Sequence, residues 1–108
     1  MQRGQFVLVA VPGDYGKPRP ALVVQANLFA ELPSVVVCPL TSVIRADADL
    51  FRLDVAPSPE NGLLAPSQIM IDKITTLPVG RIGKTIGQAD AALLTQVNRA
   101  LAVFLAIV

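Results

Sequence analysis

Short apolar runs separated by turn residues fill the chain as far as Gly87, and the pattern then changes period. Phe6-Val7-Leu8-Val9-Ala10-Val11 is rich in β-formers and closes on Pro12-Gly13-Asp14-Tyr15-Gly16, a dense cluster of turn residues. Ala21-Leu22-Val23-Val24-Gln25 follows Pro18-Arg19-Pro20, whose prolines hold the chain extended on entry. Ser34-Val35-Val36-Val37-Cys38 is a third run and continues into Pro39-Leu40-Thr41-Ser42. Phe51-Arg52-Leu53-Asp54-Val55 alternates cleanly, which predicts a strand with one buried face and one wet face. Pro57-Ser58-Pro59-Glu60-Asn61-Gly62 is the clearest turn, ending in an Asn-Gly pair that favours positive φ. Gln68-Ile69-Met70-Ile71-Asp72 and Arg81-Ile82-Gly83-Lys84-Thr85-Ile86 supply the last predicted strands.

Beyond Gly87 the spacing becomes helical. Leu93, Val97, Ala100, Leu101, Phe104 and Leu105 fall at i, i+4, i+7, i+8, i+11 and i+12, and Asp90 is placed to cap the helix. Thr95, Gln96, Asn98, Arg99 and Ala102 take the other side. About five to seven short strands followed by one amphipathic helix imply a mainly β (α+β) domain: a small, strongly curved sheet, partly closed as a barrel, with the helix packed on it. There is no internal repeat or low-complexity linker, so residues 1–108 read as one domain.

Composition narrows the chemistry. The 108 residues are 53% hydrophobic and 16% charged, which excludes a disordered chain. One cysteine, Cys38, excludes a disulfide framework, and its place in an apolar run predicts a buried thiol in a reducing compartment. There is no histidine. That removes imidazole acid–base catalysis, Ser-His and Cys-His nucleophile pairs, and the common His-ligated metal sites. No targeting segment stands out, and Asp90, Gln96, Asn98 and Arg99 interrupt the apolar C-terminal stretch, so a soluble, cytoplasmic protein is expected. The net charge of +1 places any binding of a polyanion on a few local cations, not on a global field.

Gly80-Arg81-Ile82-Gly83-Lys84-Thr85 invites comparison with a phosphate-binding P-loop, but Pro78 stands where that motif needs its first glycine, and a strand pattern follows instead of a helix. Three other clusters carry possible chemistry. Lys17-Pro18-Arg19-Pro20 fixes the backbone around a guanidinium suited to clamping a phosphate. Thr41-Ser42 ends an apolar strand with adjacent hydroxyls, donors of the kind that stabilise charge on a phosphoryl oxygen. Asp72-Lys73 follows Ile69-Met70-Ile71 and offers a carboxylate as general base or as a partner orienting Arg19; Ser67, at the start of that run, is a weaker candidate. For each cluster, the competing reading is an ordinary solvated turn or a strand-end cap.

In order and spacing, Arg3-Gly4-Gln5-Phe6-Val7-Leu8-Val9, Lys17-Pro18-Arg19-Pro20-Ala21-Leu22-Val23-Val24, Cys38-Pro39-Leu40-Thr41-Ser42, Asn61-Gly62-Leu63, Ser67 to Asp72-Lys73, Arg81-Ile82-Gly83 and Ile86-Gly87 resemble the MazF/PemK-type toxins across essentially the whole chain. The resemblance implies an SH3-like barrel that forms a homodimer. It implies the toxin half of a type II toxin–antitoxin pair: a ribosome-independent, sequence-selective endoribonuclease that cuts single-stranded RNA with neither metal nor cofactor. It also implies inhibition by a cognate antitoxin that lays a flexible segment across the site. Carried over by position, Arg19 and Thr41 are the catalytic pair, with Asp72 as the candidate base. Lys17, Ser42, Ser67 and Lys73 are expected to bind substrate, and Tyr15 to stack on a base. The chain departs from some relatives in lacking a histidine before the second strand and in carrying Met70 where they carry an arginine.

Two alternatives come from other classes. A gyrase poison resembling CcdB shares this fold, but that family places a tryptophan near the end of its C-terminal helix, and this chain has none. An inactive SH3-like module used only for protein binding is the other.

Overall fold

In the computed structural model, which describes residues 1–10 and 17–107, seven strands, three short 3-10 turns and one helix follow one another along the chain. The strands are β1 (Gln5–Val9), β2 (Arg19–Val23), β3 (Ser34–Thr41), β4 (Arg52–Val55), β5 (Ser67–Met70), β6 (Thr75–Pro78) and β7 (Ile82–Gln88), and α1 spans Ala91–Phe104. All pairings are antiparallel, in the order β4-β5-β3-β2-β1-β7, with β6 on β3. The ends of that order are stitched together by a loop. The Gln88 amide at the end of β7 donates to the Glu60 carbonyl, 2.9 Å away, in the turn after β4. The expected partly closed barrel is therefore present.

The apolar runs are continuous because both faces of the central strands are buried. Phe6, Leu22, Cys38, Leu40, Ile69 and Ile71 form one core with Val97 and Ala100 of α1. The alternate residues Val7, Val9, Ala21, Val23, Val35 and Val37 form a second core with Leu77. With a side-chain period of two, a slip of one residue would exchange the two sets, so the register is strongly specified.

Several elements differ from the sequence expectation. β2 begins at Arg19 and includes Pro20, opposite Leu8. The Gln68–Asp72 run stops as a strand at Met70, and Ile71–Lys73 forms a 3-10 turn. Thr75–Pro78, unassigned from the pattern, is β6. Its alternation is carried by threonines and one leucine, too weak a signal on four residues. Asp90 caps α1 as expected, its carboxylate accepting from the Leu93 amide at 2.8 Å. Phe104 and Leu105, expected on the buried face, are exposed, because the last turn of α1 runs past the core beyond Ala100 and Leu101. Among the described residues, no helix is long and apolar enough to cross a membrane.

Candidate active site

β3 changes partner along its length, and this creates the site. Ser34–Val37 pair with β6, whereas Leu40 and Thr41 pair with β5. Pro39 occupies the seam. The Val36 carbonyl accepts from Val24 on the β2 side, so by alternation the amide position of residue 39 faces the seam, where a proline leaves no ladder bond unmade. On the other edge, Ala21 faces Pro39; carrying that register one pleat further sets Arg19 opposite Thr41. The prolines flanking Arg19 keep this stretch extended.

Arg19, Leu40 and Thr41 line two cavities at once, of about 410 and about 380 Å³. The larger opens toward Leu8, Pro20 and Ile86 and is walled by Gly62–Ala65, with Ser42 and Ser67 in its lining. The smaller opens toward Pro39, Met70, Lys73 and Thr75. Arg19 and Thr41 thus form a rim between them. The Thr41 hydroxyl oxygen accepts from the Val43 amide at 3.1 Å, which leaves its proton to donate outward. Ser42 is exposed, whereas Ser67 is buried and donates to the Ala65 carbonyl at 2.9 Å, so its hydroxyl is spent on the wall.

The wall itself is held by a residue that sequence reasoning did not single out. Asn61 is buried; its side-chain oxygen accepts from the Ser58 and Leu63 amides, both at 3.0 Å, and its Nδ2 donates to the Ala56 carbonyl at 2.9 Å. Gly62, not Asn61, takes the positive φ of 70°, and a Cβ there would collide with the Ile86 carbonyl. The Asn-Gly pair marked the turn, but nothing in the pattern revealed that the amide side chain is its internal brace.

The remaining expected site residues divide. Lys17 is exposed beside Pro18 at the entrance to β2, and Lys73 lines the smaller cavity. Tyr15 lies outside the described residues. Asp72, expected as a candidate base, lies in neither cavity lining. Both its oxygens accept from Arg52, at 2.7 and 3.0 Å, with the two side chains only 21% and 9% exposed. The hydrogen bonds from Arg52 hold its carboxyl below the usual carboxylate range, the wrong direction for a base working near neutrality. No carboxylate among the described residues lines either cavity. Cys38 supplies no nucleophile either, because burial pushes its thiol up to about 12.

Comparison with known proteins gives the family and the fold. Residues 2–105 match the family model described as the PemK-like, MazF-like toxin of type II toxin–antitoxin systems. The curated "Probable endoribonuclease MazF" of Mycolicibacterium smegmatis is 40% identical over 108 residues, covering 99% of this chain and 98% of the relative. Among solved structures, an endoribonuclease in complex with its cognate antitoxin, from a mycobacterial species, superposes with a TM-score of 0.81 at 26% identity, covering 100% of this chain and 97% of that one. The Mycobacterium tuberculosis toxin MazF-mt6 gives 0.77 at 26% identity, covering 96% and 97%. The gyrase-poison and inactive-module alternatives are not favoured by any of these relatives. With the match running through both barrel and helix, the chain belongs to the PemK/MazF family of type II toxins.

Proposed function

We propose that the chain is a metal-independent, ribosome-independent endoribonuclease that cuts single-stranded RNA at selected sequences, with Arg19 and Thr41 as its catalytic pair. The observation that carries this reading is the shared rim: one guanidinium and one hydroxyl, on neighbouring strands, stand between two cavities in a toxin-family barrel.

The reaction uses the RNA's own 2′-hydroxyl. That oxygen gives up its proton to solvent water and attacks the adjacent phosphorus, the bond to the 5′-oxygen of the next nucleotide breaks as that oxygen takes up a proton, and the products are a 2′,3′-cyclic phosphate and a free 5′-hydroxyl. The barrier lies in a crowded phosphorane carrying two negative charges. Arg19 stabilises that charge with paired N–H donors, and the Thr41 hydroxyl donates to a non-bridging oxygen. A guanidinium, with a free pKa above about 12, is a poor base, so Arg19 acts first by charge and second as a proton donor to the leaving oxygen. Lys17, Ser42 and Lys73 contribute local attraction to the strand, and Ser67 shapes the cavity wall. The protein works in the cytoplasm as a homodimer, and a cognate antitoxin restrains it by covering the rim with a flexible segment.

Purified protein incubated with single-stranded RNA in EDTA should release fragments ending in cyclic phosphate and 5′-hydroxyl. Intact RNA under those conditions would reject the reading.

A further inference from the structure

The rim has a cavity on each side, and the two differ in chemistry. The larger is apolar, with Leu8, Pro20, Leu63 and Leu64 in its lining and no cation besides Arg19; Leu64 is 99% exposed on its wall. The smaller is lined by Met70 and Pro39 together with Lys73 and Thr75. Each volume falls in the range of about 300–1,000 Å³ common for small-ligand sites. The cations Arg19 and Lys73, with no carboxylate in either lining among the described residues, favour an anionic chain with flat, partly apolar side groups.

We propose that the two cavities are separate base subsites for the nucleotides on either side of the scissile phosphate, and that the Lys73–Thr75 cavity selects an oxo-bearing base, guanine or uracil. This rests on the nuclease reading and adds its specificity. The phosphate sits on the Arg19–Thr41 rim, so the backbone crosses the strand ends and the two bases turn away from each other, one to each face of the sheet. In the apolar cavity, a ring packs flat against Leu8, Pro20 and Leu64, a contact every base can make. In the other, Lys73 has three donors and no acceptor, which matches the O6 and N7 edge of guanine or the carbonyl edge of uracil, whereas the amino groups of adenine and cytosine present donors to it. Thr75, half-buried on β6, fixes the far side of that ring. Specificity is therefore expected to be strict on one side of the cut and loose on the other.

A dinucleotide probe tests this, because its single phosphate defines which base lies on which side. Two isomers are made with a 2′-O-methyl group blocking cleavage, one with 5-iodouridine 5′ of the phosphate and uridine 3′, the other reversed, so that both carbonyls of each base are kept. Each is photo-crosslinked to the full chain, and the adducts are mapped by mass spectrometry. One isomer should label Met70–Thr75 and the other Leu63–Ser67. Lys73→Met should lower the first adduct roughly fivefold or more relative to the second, whose loss is only the smaller, general one of a removed cation. The proposal is overturned if both isomers label the same segment, if neither labels either segment, or if Lys73→Met reduces both equally. Cleavage of ordinary RNA in EDTA is read separately, so failure of the nuclease reading and failure of the subsite assignment give different results.

Discussion

At the scale of single residues, the same side-chain type takes different roles according to its partner. Arg19 and Arg52 both begin a strand; Arg52 is joined to Asp72 by two charge-assisted hydrogen bonds, and Arg19 lies on the rim of two cavities. The Arg52–Asp72 pair joins β4 to the turn after β5, and removing one charge strands the other in a mostly buried place. Asp72→Asn should therefore cost roughly 2–3 kcal/mol at pH 7, measured by urea unfolding. Because the Asp72 carboxyl is held below its ordinary value, this stabilisation is complete above about pH 4 and is lost as pH falls through the lower folded value. The gap between wild type and variant should close in that acid window. A thiol raised to about 12 predicts that Cys38 resists iodoacetamide at pH 8 in the folded protein and reacts fully in denaturant. The positions of Arg19 and Thr41 at strand ends were legible in the sequence through their neighbours, prolines around one and an apolar run before the other. The role of Asp72 was not, because its partner Arg52 lies twenty positions away.

At the scale of elements, the site depends on two interruptions of regular structure. One is the seam at Pro39, where β3 exchanges β6 for β5. The other is the Asn61–Gly62 turn pressed against Ile86–Gly87 of β7, a contact so close that side chains at Gly62 and Gly87 would meet backbone atoms. Gly62→Ala should be destabilising by roughly 2 kcal/mol or more, since it adds left-handed strain to a collision, and it should displace the wall of the larger cavity. Gly80→Ala meets nothing within 4 Å and should leave the melting temperature within a few degrees of wild type. Equal losses at both glycines would contradict this account of the wall. Turn chemistry made the loop readable from sequence. Which strand the loop braces was not readable, because that contact is made across the barrel, between segments about 25 positions apart along the chain.

For the whole molecule, barrel and helix were the most legible features. Continuous apolar runs, Pro/Gly turns and a change of period at Gly87 are local signals, and the structure realises them with a core on each face of the sheet. Pairing order and cavities arise from contacts distant in sequence, and no pattern of one chain encodes them directly. The near-neutral charge also has a consequence at this scale. With Lys17, Arg19 and Lys73 as the cations near the rim, each protomer should neutralise about three phosphates, giving a slope near about −2 in a plot of log affinity against log salt for single-stranded RNA. A much steeper slope would require cations beyond these three to reach the strand.

The central claim is that phosphoryl charge is stabilised by the guanidinium on the rim, and its most direct test is the single-turnover cleavage rate of Arg19→Ala in EDTA beside the wild type. Loss of the main donor to the transition state should slow cleavage at saturating RNA by about 100-fold or more, with the fold retained. Cleavage by Arg19→Ala at the wild-type rate, giving the same cyclic-phosphate ends, would contradict it.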